Sequence, residues 1–338
     1  MAPDSNQAGR CRVGVQLMPD ARQTTMDVFL VRPCHFGSNP ETAGSNAFQK
    51  SVSAATAEIR ARAVAEFDGF IRALEAAGVR PIVFEDTDVP AKPDAVFPNN
   101  WVSFHSDGTV YLYPMEAPSR RAERRPDIIE ALAEKHGFRV REIIDLSAAE
   151  DTGQFLEGTG SMVLDRVNRV IYVAMSSRTH MAVLADFAQR AEYEIAAFDA
   201  ADPGGRAIYH TNVMMAIGAG FAVICADAIV DSQKRSTVLA RLAASGREIV
   251  EISIQQMQSF AGNLLELASD SGNAVIVLSR SAYAVLTADQ RNRLAKFGQV
   301  MPVAVETIEE AGGGSVRCML AEIFLPRAPV TARLAEER

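Results

Sequence analysis

Residues 161–200 read SMVLDRVNRVIYVAMSSRTHMAVLADFAQRAEYEIAAFDA, and this stretch decides the fold. The run SMVLDRVNRVIYVAM is strand-like, rich in β-branched residues. His180–Ala191 then carries Met181, Leu184, Phe187 and Ala188 on one helical face. EIAAFDA follows closely as another strand. The unit is two strands, a helix and a strand.

Working outward, the same signals recur. Ala57–Ala77 predicts a helix with Ile59, Val64, Phe67, Ile71 and Leu74 at helical spacing and Gly78 as its cap. Pro126–His136, Ser232–Ala244 and Thr287–Phe297 predict three more, the last opening on a capping-box-like TADQ. RPIVFED, RVREIIDL, EIVEIS and QVMPVAVET follow as strands, with VYLYPM, FAVICADAIV and AVIVLS between the units. The helices start near residues 57, 126, 180, 232 and 287, so the unit repeats five times. A period of about 55 residues predicts a radial or stacked α/β architecture. No Pro/Ser linker divides the chain. The expectation is a single domain over residues 25–327, with terminal extensions at 1–24 and 328–338.

Composition narrows the function. The chain has 338 residues and a net charge of −8, against the basic surplus that nucleic-acid binding requires. No apolar run approaches the ~18–20 residues of a membrane span, and MAPDSNQAGRCR lacks a signal peptide's apolar core. A cytoplasmic protein is expected. The four cysteines, Cys11, Cys34, Cys225 and Cys318, are too few for a disulfide framework, and without a CxxC pair no cysteine zinc site is expected.

Three polar clusters interrupt the apolar pattern. Phe97-Pro98-Asn99-Asn100-Trp101 sets two amides beside the only Trp; a plain turn is the alternative. Leu156-Glu157-Gly158-Thr159-Gly160-Ser161 places a Glu before small residues that admit a ligand, or forms a solvated turn. Tyr209-His210-Thr211-Asn212 pairs with Gly312-Gly313-Gly314-Ser315-Val316-Arg317-Cys318-Met319. His210 enters an apolar run and could be a satisfied core histidine. Cys318 is the best nucleophile candidate, with Arg317 able to stabilise a thiolate. Cys225 sits in an apolar strand. Cys34 adjoins His35, but neighbours on an extended chain face opposite sides. One Cys, a distant His and a Glu are the ingredients of thiol catalysis.

Taken together, FGSNPETAGSNAFQ, FPNNWVSFH, YHTNVMMAIG, GNLLEL and GGGSVRCML resemble the guanidine-modifying superfamily of pentein fold, and within it the citrulline-utilising hydrolase branch. The resemblance covers nearly the whole chain. It implies a five-bladed α/β propeller of ββαβ modules with the site in the central channel, and no metal or organic cofactor. By resemblance Cys318 is the nucleophile, His210 the general acid/base and Glu157 the acidic residue that holds substrate nitrogens. Arg178 and Arg120 match arginines that grip the substrate. Thr159 and Gly160 stand where the motif ends in Gly-Asp, and Gly313 about where the deiminases carry a further arginine. Arg317 is the substitute expected to meet the substrate carboxylate.

Two departures set the expected substrate. Asn100, beside Asn99, and Asn212 replace two Asp residues that in the deiminases pair with guanidinium. A carboxylate only accepts, which suits a cation of many N–H donors; an amide both donates and accepts, which suits a neutral urea. The expectation is a hydrolase of citrulline giving ornithine, carbon dioxide and ammonia through a carbamoyl-Cys318 intermediate. An arginine deiminase or dimethylarginine hydrolase is the alternative, followed by a transferase or a non-catalytic pentein binding protein. The expected partner is a small ureido or guanidino amino acid; the resemblance leaves room for a homo-oligomer. Asn39 and Asn46 mark either a turn or a lid over the channel.

Overall fold

The computed structural model describes residues 22–50 and 56–327. Cys11 and most of the expected terminal extensions lie outside the described residues. The strands are β1 Asp27–Arg32, β2 Arg80–Glu85, β3 Val102–Phe104, β4 Thr109–Leu112, β5 Glu142–Asp145, β6 Met162–Asp165, β7 Val170–Met175, β8 Glu194–Asp199, β9 Met215–Ile217, β10 Phe221–Ile224, β11 Glu248–Glu251, β12 Leu265–Ala268, β13 Ala274–Ser279, β14 Gln299–Val303 and β15 Ala321–Glu322. They form five three-stranded sheets ordered β15-β1-β2, β3-β4-β5, β6-β7-β8, β9-β10-β11 and β12-β13-β14. In each, the first pair is antiparallel and the second parallel. A parallel pair needs a crossover, and the helices Thr56–Ala76, Pro126–Glu134, Met181–Arg190 and Ser232–Ala244 supply four of the five. The fifth is split into Arg280–Val285 and Ala288–Leu294. This is the expected ββαβ repeat of the pentein fold.

The burial pattern explains what the sequence showed. The middle strands are covered on both faces and read as continuous apolar runs, such as VIYVAM and FAVI. The outer strands alternate or lie largely exposed. The first helix buries Ile59, Ala63, Phe67, Phe70 and Leu74, with Val64 and Ile71 at the margin of the face. Each large side chain so buried contributes roughly 1.5–3 kcal/mol. Thr287 and Gln290 form the expected capping box. QVMPVAVET is strand only to Val303; its end opens a helix over Glu306–Gly312 that stops at Gly313 with φ +65°.

The first sheet is assembled from both ends of the chain, because β15 pairs with β1. Neighbouring sheets then meet through their short first strands, β15 with β3, β6 with β9 and β9 with β12. The segment before β1 joins the remaining ends: Ala268 N donates to Thr25 O at 3.1 Å, and Thr25 Oγ1 donates to Ile323 O at 2.9 Å. No described helix is long and apolar enough to cross a membrane.

Candidate active site

Each sheet contributes one polar turn immediately before its first strand. Asn100 ends the turn before β3, Glu157 caps the short helix Gly158–Ser161 before β6, and Asn212 lies in the turn before β9. Asn263 precedes β12, and Cys318 lies in the turn before β15. The repeat therefore delivers five side chains from equivalent positions.

Cys318 is buried, and its sulfur faces two amides. Asn263 Nδ2 donates to Sγ at 3.3 Å and Asn212 Nδ2 at 3.4 Å. Asn263 Nδ2 also donates to Asn212 O, and its Oδ1 accepts from Arg317 N at 3.0 Å. A backbone N–H can only donate, so this bond fixes the Asn263 amide with its NH₂ toward the sulfur. Both amides thus aim an N–H donor at the sulfur. Arg317 was expected to stabilise the thiolate or to meet the substrate, and its hydrogen bonds go elsewhere. The turn sends its side chain away from Sγ, where it donates to Leu320 O and to Glu322 Oε2, both at 2.9 Å, in a neighbouring cavity.

His210 and Glu157 form the second group. His210 Nε2 lies 2.8 Å from Glu157 Oε2. Burial would raise the Glu157 pKa, but Arg178 at 3.3 Å, the His210 bond and Arg120 hold it well below the usual carboxylate range. Burial pulls the His210 pKa down to about 4, only partly opposed by Glu157. At neutral pH the pair is therefore a carboxylate holding a neutral imidazole, able to take a thiol proton. His105 is likewise held neutral by burial, at about 3. Both folded values lie below an unfolded histidine's, so between about pH 4 and 6.5 the unfolded chain binds more protons. Stability should fall as pH drops through that window, by up to about 1 kcal/mol per pH unit for each group. Urea midpoints for the native chain and His105→Asn should show a shallower slope in the variant; equal slopes would contradict the assignment.

Asn100 is oriented by Arg120. Arg120 Nη1 donates to Asn100 Oδ1 at 2.9 Å, while its Nε and Nη2 bind Glu123 bidentately. A guanidinium cannot accept, so the Asn100 Nδ2 group is turned away from it. Among the described residues that buried NH₂ has no hydrogen-bond partner, and neither does Asn212 Oδ1. Arg120, expected to grip substrate, thus lines the cavity with its donors already engaged. Asn99 does not reach the cavity; it bonds Thr159.

Gly160 explains the missing carboxylate of the motif. A Cβ there would sit 2.3 Å from Asn100 Nδ2 and 2.7 Å from His210 Nδ1. Both side chains occupy the space that a carboxylate would need. Gly160→Ala should push them apart and lower kcat by about 10²-fold, with the overall fold retained by circular dichroism. An unchanged kcat would show that this close approach is unimportant.

The loop of Asn39 and Asn46, here the lid, is a run of turns that packs beside the cavity and contributes Thr42 and Asn46 to its wall. Asn39 Nδ2 donates to Asp94 Oδ2 at 2.8 Å, Arg178 Nη2 to Ser45 Oγ at 2.8 Å, and Asn46 Nδ2 to Gly313 O at 3.2 Å. The small cleft beneath the loop, open on one side to solvent, is bounded by Asp94, Asn100, Arg178, His210, Gly312–Gly314 and Cys318. Asp94 and Asn263 were missed by the sequence reading. Asp94 has one oxygen without a partner, and burial raises its pKa. In sequence it is an ordinary loop acid with no signal. Asn263 had one: within GNLLEL it stands where Asn100, Asn212 and Cys318 stand in their repeats.

The comparisons with known proteins agree with this fold. Residues 32–325 match the family model described as N,N dimethylarginine dimethylhydrolase, eukaryotic. No curated protein matches this chain in sequence. Among solved structures, the apo form of ArgZ, an arginine dihydrolase from the ornithine–ammonia cycle in Cyanobacteria, superposes with a TM-score of 0.65 at 18% identity. That match covers 90% of this chain, which spans only 41% of ArgZ. The N-terminal domain of ArgZ bound to substrate gives 0.65 at 17% identity, over 88% of this chain and 99% of that one. A dimethylarginine dimethylaminohydrolase adduct with S-methyl-L-thiocitrulline gives 0.60 at 14% identity, over 89% and 100%. The match across nearly all the described residues, on five repeats that converge on a buried cysteine, makes this chain a member of the N,N dimethylarginine dimethylhydrolase family, cysteine-nucleophile hydrolases of the pentein guanidine-modifying superfamily.

Proposed function

We propose that the chain hydrolyses a ureido amino acid, citrulline in the simplest case, to ornithine, carbon dioxide and ammonia. One observation carries the reading: Asn100 presents a buried, partnerless NH₂ beside the cavity, oriented by Arg120. A ureido oxygen accepts from it. A guanidinium has only donors and would leave that NH₂ unsatisfied, at a cost of about 1–3 kcal/mol. Asn212 lines the neighbouring cavity and meets this one through its Nδ2 on the Cys318 sulfur, so Asn100 carries the reading.

The roles follow from the geometry. Neutral His210 takes the Cys318 proton, and the thiolate, held by Asn263 and Asn212, attacks the ureido carbon. The C–N bond to the ornithine side breaks as His210 returns the proton to the departing nitrogen. A carbamoyl thioester remains on Cys318. His210 then takes a proton from water, which attacks the thioester; carbamic acid leaves and falls apart to carbon dioxide and ammonia. Glu157 keeps His210 oriented throughout. Asp94 meets the α-ammonium with its free oxygen.

A guanidino substrate is the second reading. The ionised Glu157 and the family match favour it, and it keeps the same nucleophile. Acid quenching of the chain with citrulline labelled at the ureido carbon distinguishes them. The proposal expects label on Cys318. Label from guanidino-labelled arginine alone would transfer the assignment to the second reading.

A further inference from the structure

Cys34 and His35 lie between β1 and the lid. The sequence reading set them on opposite faces of an extended chain, but the backbone bends at both residues and brings them together on Asp88, in the loop after β2. His35 Nε2 lies 2.7 Å from Asp88 Oδ1, and Cys34 Sγ lies 3.8 Å from the same oxygen. A sulfur, an imidazole nitrogen and a carboxylate oxygen thus lie within 4.8 Å of one another, with Cys34 and Asp88 open to solvent. No role in the Cys318 chemistry uses these residues.

We propose that Cys34, His35 and Asp88 form a site for a divalent transition metal of the zinc class, with water completing its coordination. Donors around a tetrahedral zinc at about 2.0–2.3 Å are themselves about 3.3–3.7 Å apart. The sulfur–oxygen separation of 3.8 Å needs to close by only about 0.1–0.3 Å, and the histidine–carboxylate pair at 2.7 Å needs to open by about 0.6 Å. Asp88 is exposed enough to make that shift. Thiolate with imidazole selects zinc, cobalt or copper over magnesium and calcium. Binding exchanges the Cys34 S–H bond for a sulfur–metal bond and releases that proton to solvent. Cys34 stands five residues before Asn39, and Asp88 six before Asp94, the lid pair. The metal would therefore join the two segments that carry the lid contact.

Cobalt(II) titration of the full chain tests the site, because sulfur–cobalt bonds give a near-ultraviolet charge-transfer band. The expected result is one Co²⁺ per chain, with a band that persists in Cys318→Ser and disappears in Cys34→Ser. Asp88→Asn should keep the band and weaken binding by about tenfold or more. Circular dichroism should show each variant folded. Absence of the band in the native chain, its survival in Cys34→Ser, or its loss in Cys318→Ser would each overturn the proposal.

Discussion

Cys318→Ser should lower turnover by at least about 10⁴-fold, the scale reached when a covalent nucleophile is removed, while stability changes by less than about 1 kcal/mol. The two expectations come from the same geometry. Cys318 is buried in a turn before β15, and its sulfur accepts from two amide groups. A serine oxygen fits that space and can accept the same bonds, so the fold has no reason to fail. It is nevertheless a poor nucleophile here, because a hydroxyl ionises far less readily than a thiol and neutral His210 is a weak base. Loss of ornithine production with an unchanged urea midpoint is the expected pair of results. Turnover within tenfold of the native rate would remove Cys318 from the chemistry.

Asn100→Asp should have the second-largest effect, and its sign depends on the substrate. Arg120 donates to Asn100 Oδ1 and would donate equally to a carboxylate. The change thus leaves the arginine satisfied and replaces the free NH₂ over Gly160 with an acceptor. A ureido oxygen would then face a carboxylate oxygen, with Glu157 also ionised nearby. Sites built on buried polar groups discriminate by up to about 10⁴–10⁵-fold, and ureido turnover should fall toward that scale. Guanidinium binding should improve, most of all when Asn212→Asp is added. Steady-state kcat/KM for citrulline and arginine in both variants checks this. A variant that keeps its citrulline activity would mean that Asn100 does not hold the ureido oxygen.

The middle strands and helices were legible because burial on both sides makes the strands uniformly apolar, and the helices carry long periodic faces. The shortest first strands of the sheets were not. β15 has two residues and β3 and β9 three each, too short for any period. That hid the joining of the two chain ends in one sheet, which depends on a pairing between Val28 and Glu322. Cys318, His210, Glu157, Asn100 and Asn212 stood out because polar groups broke an apolar run just ahead of a strand. Arg317 was misread because adjacency to Cys318 in sequence says nothing about direction in a tight turn. Asp94 was invisible because only the folded lid buries it. Cys34 and His35 were separated by an assumption of extended backbone that the chain does not meet.

The central claim is that the Asn100 amide recognises a neutral ureido group. Its most direct test is ornithine and citrulline production from citrulline, arginine and dimethylarginine, measured side by side with the native chain. Ornithine from citrulline, with the two guanidino compounds left unchanged, is the predicted result. Conversion of arginine or dimethylarginine, with citrulline itself untouched, would contradict it.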